Sequence, residues 1–396
     1  MTKIEFSVME DVDGDANHLL PLLDAFEKQS NIHVDLTAIN WNDGWERIAS
    51  FGIYGNGPDV SSIGTSWIGG LAAMKVLRPF TPQEVHMLGG ADAFFESSWQ
   101  AGLLTNSSTP WAIPWIGDAM VIYYWKDALE KIGVLDFPAA VSKDSALVDI
   151  LDQLKRNGCE YPLAIHTSKK TVILQEAAHW VWSAGGDFIS PDNKQIIFNQ
   201  PAAMDGFKKY FSLLPFISPK SQDDMFIGDA FMEKTAQVYL AGPCLGSVGR
   251  YKQYKLDAGN LGIAQMPGVA FAGGSSLVIW QHSDQSAEAF ELIRFLSSQP
   301  ACIPASPHSN EIPTRRDAIN MPTFESDPFH HAYLQALQTG RAFPTIRIWG
   351  SIEDKLVNEI SDIWTALFAD PNQDLDECLH RHFDPLAKRL NEVLGN

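Results

Sequence analysis

Within its first sixty residues the chain alternates strand and helix patterns. Ile4-Glu-Phe-Ser-Val8 alternates apolar and polar side chains, as a half-buried strand does, and Leu19, Leu22, Leu23 and Phe26 then recur at helical spacing. Ile32-His-Val-Asp-Leu-Thr-Ala-Ile39 alternates again, Trp41 to Tyr54 reads as a second helix, and Gly57-Pro-Asp-Val60 turns into a short strand ending at Ile63. Strand, helix, strand, helix, strand is the order of a parallel sheet with right-handed crossovers.

Helices dominate beyond this point. They are predicted at Ser66 to Val76, Asp92 to Leu103, Ser142 to Asn157, Thr171 to Ala184, Pro201 to Leu214, Asp223 to Lys234, Gln285 to Ser298, Phe324 to Thr339 and Leu375 to Leu394, with one apolar face running from Ile352 to Leu367. Short strands are expected at Pro162–Ile165, Ala236–Leu240, Leu261–Gln265 and Ser276–Trp280. The 396 residues suggest two or three domains at roughly 150 residues each, and no repeat or long flexible linker separates them. Trp111-Ala-Ile-Pro-Trp115 and Gly273 to Trp280 combine Pro or Gly with an extended apolar run, which suits hinge crossings where a few dihedrals absorb a rotation.

Twenty-nine basic against 48 acidic residues leave a net charge of −19, which repels phosphate backbones and argues against nucleic-acid binding. The longest apolar stretch, Ala119 to Trp125, is far short of the roughly 18 residues of a membrane span. Met1 to Val8 shows no apolar leader core, so the expectation is either a cytoplasmic protein, if Met1 is native, or a chain from which a leader was removed. Cys159, Cys244, Cys302 and Cys378 lie far apart with no C-x-x-C and read as free, mostly buried thiols.

The order of segments resembles the extracellular solute-binding proteins of the maltose-binding type, the sugar receptors of ABC importers. The resemblance rests on Phe26-Glu-Lys-Gln29 before Ile32 and Val34, on Gly57-Pro-Asp-Val60 with Ser66-Trp67, and on Pro114-Trp-Ile-Gly-Asp118 leading to Ile122-Tyr-Tyr-Trp-Lys-Asp127. Ala184-Gly-Gly-Asp187, Phe231-Met-Glu-Lys-Thr-Ala236 with Gly242-Pro243, Gly273-Gly-Ser275 and Pro313-Thr-Arg-Arg-Asp-Ala318 complete the order. It implies an α/β, two-lobed periplasmic binding protein type II fold, with mixed sheets flanked by helices and hinge crossovers between the lobes. Residues 1–114 with 277–320 would form one lobe, and 115–276 with 321–396 the other. It further implies a carbohydrate ligand, closure on binding, ABC permease subunits as partners, a monomer, no catalysis, and neither cofactor nor metal. The place would be periplasmic or extracellular, lipid anchoring included.

A sugar pocket needs flat aromatics for apolar ring faces and carboxylates, amides or Arg for hydroxyls. Seven of the twelve Trp precede residue 126, and Trp41, Trp45, Trp67 and Trp115 follow strands or sit at the first crossing, where ligands bind open sheets. Trp125, Trp280 and Trp364 lie on apolar runs and are assigned to packing. Ser66 accompanies Trp67. By resemblance, Glu10, Asp11 and Asp13 fall where the family contacts ligand, as do Asp118 and Glu176. His179 and Trp182 stand beside a family aromatic contact that is Ala178 here, and Trp349, with Arg347, falls where the family places a stacking ring. Gly274 and Ser275 can offer backbone N–H groups at close approach, and Arg250 or Tyr251 would border the cleft.

Gly242-Pro-Cys244-Leu-Gly246 has the form of a nucleophile elbow, but Pro243 favours a turn, so a Cys-dependent hydrolase is a remote alternative. Asp11-x-Asp13-x-Asp15 lacks the Gly and the bidentate Glu of a calcium loop. His330-His331 and His380-x-His382 do not converge on a metal and read as solvated surface. The other alternative keeps the fold and changes the ligand to a polyamine or a glycerol-phosphodiester; the charge of −19 favours a cation or a neutral sugar.

Overall fold

A computed structural model describes residues 2–10, 14–41, 43–142, 146–243, 259–302, 312–318 and 328–394. Asp11, Asp13, Cys244, Arg250 and Tyr251 lie outside these residues. The described residues form eleven strands: β1 (Thr2–Glu10), β2 (Ile32–Asn40), β3 (Val60–Gly64), β4 (Leu77–Arg78), β5 (Ile113–Ala119), β6 (Val121–Trp125), β7 (Leu163–Ala164), β8 (Val238–Ala241), β9 (Leu261–Gln265), β10 (Ala272–Trp280) and β11 (Ile312–Pro313). The chain divides into two compact units. Their described parts are residues up to Ala119 with Pro243 and those of Ala272–Gly350, and Met120–Gly242 with 259–271 and the residues from Ser351 on.

The first unit holds a seven-stranded mixed sheet in the order β11-β5-β10-β3-β1-β2, with β4 on β10. The opening βαβαβ pattern forms as expected. β1 runs parallel to β2 from Thr2↔Ile32 to Glu10↔Asn40, and parallel to β3. The intervening helices, Leu20–Ser30 and Gly44–Tyr54, end on left-handed Asn31 and Gly55. Period-two alternation feeds both sheet faces: Ile4, Phe6, Val8, Leu277 and Ile279 enter one core, while Ile63, Val278 and Trp280 enter the other. β10 reverses the direction, pairing antiparallel with both β3 and β5.

The second unit holds a four-stranded sheet, β7-β8-β6-β9, in which β6 is antiparallel to both neighbours and β7 is parallel to β8. Helices Thr171–Ser183, Pro201–Phe211, Trp349–Ala369 and Leu375–Leu394 supply much of its core, with Phe207 against Phe383 and Phe211 against Trp364.

Between described residues the units change over at Ala119/Met120, Gly242/Pro243, Phe271/Ala272 and Gly350/Ser351, not at residues 114, 276 and 320. The reason is backbone pairing. β5 stays hydrogen-bonded to β10 through Ala119, opposite Ala272, so Pro114 and Trp115 lie inside the first sheet and not in a hinge. Helix Pro82–Met87, with its Thr81–Glu84 capping box, is an element the apolar spacing does not announce. Among the described residues no helix is long and apolar enough to cross a membrane.

Candidate functional site

The site grows from the carboxyl ends of the parallel strands. Where β2 stops, the Trp41 N–H donates to Glu10 O at 3.1 Å, which ties this residue to the end of β1. A turn closed by the Gly44 N–H to Trp41 O bond then opens helix Gly44–Tyr54, placing Trp45 in its first turn. Beyond β3, a single 3-10 turn, Thr65–Trp67, carries Ser66 and Trp67. The three indoles meet: Trp41 and Trp67 have ring centroids 5.4 Å apart, and Trp45 and Trp67 5.8 Å, each tilted by about 55°. Trp67 is half-buried on the apolar core beneath, whereas Trp41 and Trp45 are 36% and 40% exposed.

Small residues make this contact possible. A Cβ on Gly44 would meet Met9 Cε at 2.5 Å and Trp67 Cη2 at 2.9 Å, and one on Gly64 would touch Trp41 Cζ3 at 3.4 Å. The same sheet edge continues through Ser275, which pairs with Gly64, and through Gly273, which pairs with Asp118. Gly274 has φ +130° and its Cβ would lie 2.0 Å from Ile116 O, so no other residue fits without moving the backbone. The carboxylate of Glu10 accepts the N–H groups of Gly14 and Ala16 at 3.1 and 3.2 Å and so ties the end of β1 to the turn at Gly14–Ala16. Arg347 is exposed, and its backbone passes beside Trp45, since a Cβ on Gly70 would meet Arg347 O at 3.6 Å and Trp45 Cη2 at 3.7 Å.

One edge therefore gathers Glu10, Trp41, Trp45, Ser66, Trp67, Asp118, Gly274, Ser275 and Arg347. Two other residues expected there are not on it. Trp115 packs on Phe6 inside the first core, 5.9 Å between centroids, because residue 115 of β5 points to that face. Trp349 is fully buried and stacks on Phe343 at 4.9 Å, since it begins a helix whose first turn is packed. Met9, Gly44 and Gly64 escape the sequence reading because they shape the site by what they lack or cover.

In the second unit Glu176, His179 and Trp182 all lie on helix Thr171–Ser183 and all are buried. His179 Nδ1 is 3.1 Å from Val269 O, and Trp182 Nε1 donates to Asp187 at 3.3 Å. Glu176 accepts from the His166 main-chain N–H at 3.1 Å and the Tyr210 hydroxyl at 3.3 Å, and its Oε1 lies 2.9 Å from His166 Nδ1. Burial raises its carboxyl above the usual range against the lowering pull of these partners. These side chains work inward, and none presents a stacking face or a free carboxylate.

His380 pairs with Asp384 and His382 with Glu359, both across hydrogen bonds, but His330 is 6% exposed and belongs to the interior, not the solvated surface. Cys378 is buried and Cys159 half-buried; neither is in a disulfide. Among the described residues no three His, Cys, Asp or Glu side chains gather as a metal site.

A model of the bacterial extracellular solute-binding protein family matches residues 22–332. The chain belongs to this family. A Brucella abortus chain, named only as a binding protein, is 22% identical over 359 residues, which cover 86% of this solute-binding protein and 83% of that one. Among solved structures, the sugar-binding protein MalE of Xanthomonas citri superposes with a TM-score of 0.82 at 22% identity, over 99% of this chain and 97% of its own. Maltose-bound MalE3 of T. maritima also gives 0.82, at 19% identity over 100% and 99%. At these identities the likeness establishes the shared two-lobed α/β fold.

Proposed function

We propose that this solute-binding protein captures a carbohydrate for an ABC importer, with the tryptophan edge of the first unit as the principal grip. The observation that carries the reading is the exposure of Trp41 and Trp45 against a supporting Trp67 at the carboxyl ends of β2 and β3. Indoles in that position offer apolar faces to the C–H side of a sugar ring, while Ser66, Asp118 and the backbone of Gly274–Ser275 supply the polar partners its hydroxyls need. The maltose held by the T. maritima neighbour and the sugar-binding name of the X. citri one favour the same ligand class.

Capture is coupled to movement of the units about the crossings at Ala119/Met120 and Phe271/Ala272, with ligand favouring the closed population. Membrane-embedded permease subunits receive the loaded protein in the periplasmic or extracellular space, in keeping with a family described as extracellular solute-binding proteins. The protein does no chemistry on its ligand and needs no cofactor. The test is calorimetry against maltose, maltotriose and monosaccharides, followed by the Trp41→Ala variant. Heat that saturates with a neutral sugar and weakens in the variant supports the reading; silence across the panel, with heat from a polyamine instead, overturns it.

A further inference from the structure

The second unit spends a fully buried carboxylate on orienting one imidazole. β7 ends at Ala164, and His166 stands two residues beyond it, on the sheet edge at which β8 ends and β6 begins directly after Met120. Glu176 takes hold of His166 twice, through the main-chain N–H at 3.1 Å and through ring Nδ1 at 2.9 Å, both at the same Oε1. Its other oxygen accepts from the Tyr210 hydroxyl at 3.3 Å, and Tyr210 is itself fully buried. The flank of the imidazole rests by Tyr239 of β8, 6.2 Å between centroids.

The Tyr210 hydroxyl and the His166 main-chain N–H donate to the Glu176 carboxylate, and with ring Nδ1 directed at the same Oε1 the tautomer assigned to His166 carries its hydrogen on Nδ1 and leaves Nε2 as the acceptor. Nε2 makes no hydrogen bond to any described residue, and the side chain is 17% exposed. Burying a carboxylate is costly, and an apolar residue would pack the same volume at less expense. What a carboxylate adds is a fixed ring plane and a fixed tautomer, as it does for metal-bound and catalytic histidines.

We infer that His166 is the polar ligand contact of the second unit, its Nε2 accepting a hydroxyl hydrogen of the carbohydrate, and that Glu176 is its positioning residue. This rests on the carbohydrate reading above. It also moves the role expected of Glu176 from the ligand to the histidine behind which it sits. Carboxyl ends of parallel strands are where open sheets bind ligands, and His166, a partly exposed polar side chain, stands two residues beyond that end of β7.

The experiment uses the full chain and whichever of maltose or maltotriose gives saturable heat. Long-range proton–nitrogen NMR of the imidazoles should show Nε2 of His166 unprotonated in the free protein and shifted by saturating sugar. His166→Ala should weaken binding roughly tenfold, the value of one good neutral hydrogen bond, with His166→Gln recovering part of it. Glu176→Gln should leave the sugar bound more weakly and His166 a mixture of tautomers, a change that lost packing alone does not produce. An Nε2 resonance unmoved by sugar, while Trp41→Ala still weakens binding, overturns this inference and leaves the tryptophan edge standing. No heat from either sugar overturns both. The NMR arm needs no variant, so a misfolded His166→Ala does not blunt the test.

Discussion

Trp41 and Trp67 touch each other yet should answer differently to truncation. Trp41→Ala removes a ring that is already 36% exposed and has one aromatic partner, so the stability lost is about 1 kcal/mol, the value of a single pair. Trp67→Ala removes the shared partner of two pairs, at 5.4 and 5.8 Å, together with contacts to the apolar core below, and should cost about 3 kcal/mol. Affinity should follow another order. In the proposed grip Trp41 offers its face to the ligand, so its loss should cost about 2 kcal/mol of binding, roughly thirtyfold in Kd. Trp67 acts through its neighbours and should lose at least as much, because both outer rings lose their support. Calorimetric titration gives the affinities and thermal unfolding the stabilities, with the double variant closing the cycle. The reasoning fails if Trp41→Ala binds as the parent does, or if it destabilises the fold as much as Trp67→Ala.

Glu176→Ala should destabilise the second unit by about 3–5 kcal/mol, since the buried Tyr210 hydroxyl and the His166 N–H lose their acceptor; a denaturation profile in which only one of two transitions shifts is the check. Burial raises the Glu176 carboxyl, so over the window from its unfolded value upward the folded protein holds a proton the unfolded chain has lost, and stability there should fall as pH rises. Unfolding measured across that window should be flatter in Glu176→Gln. Glu84 has the opposite sign: burial pushes its carboxyl up, but Arg78 at 2.8 Å and the Thr81 N–H outweigh this and hold it low. Its contribution is present above the unfolded value and lost as pH falls through the folded one, so Arg78→Ala should cost about 1 kcal/mol at neutral pH and nothing in strong acid, read by urea midpoints. Gly274→Ala places a Cβ 2.0 Å from Ile116 O at φ +130° and should cost about 2 kcal/mol or more, seen as a lowered Tm.

Local pattern carried much of this protein. The period-two runs at Ile4–Val8 and Ile32–Ile39 became β1 and β2, the helix over Leu375–Leu394 has the bounds its apolar spacing predicts, and Trp125, Trp280 and Trp364 pack inside as their apolar neighbours imply. Trp41, Trp45 and Trp67 were legible because strand ends and polar company mark exposed turns. Position along the chain does not say which way a side chain turns once tertiary packing is complete. Trp115 looked like a crossing residue, but the pairing of β5 with β10 aims it into the core; Trp349 followed a loop and was swallowed by the first turn of a helix. Glu176 had the chemistry of a ligand contact and ended behind His166, because a carboxylate inside a buried helix can reach only what packing brings to it, here the residues after β7 and the Tyr210 hydroxyl of the next helix. Periodicity is a property of adjacent residues and survives in any fold that uses it. The direction of a ring, or the partner of a buried charge, is set by other segments of the chain, and only their packing decides it.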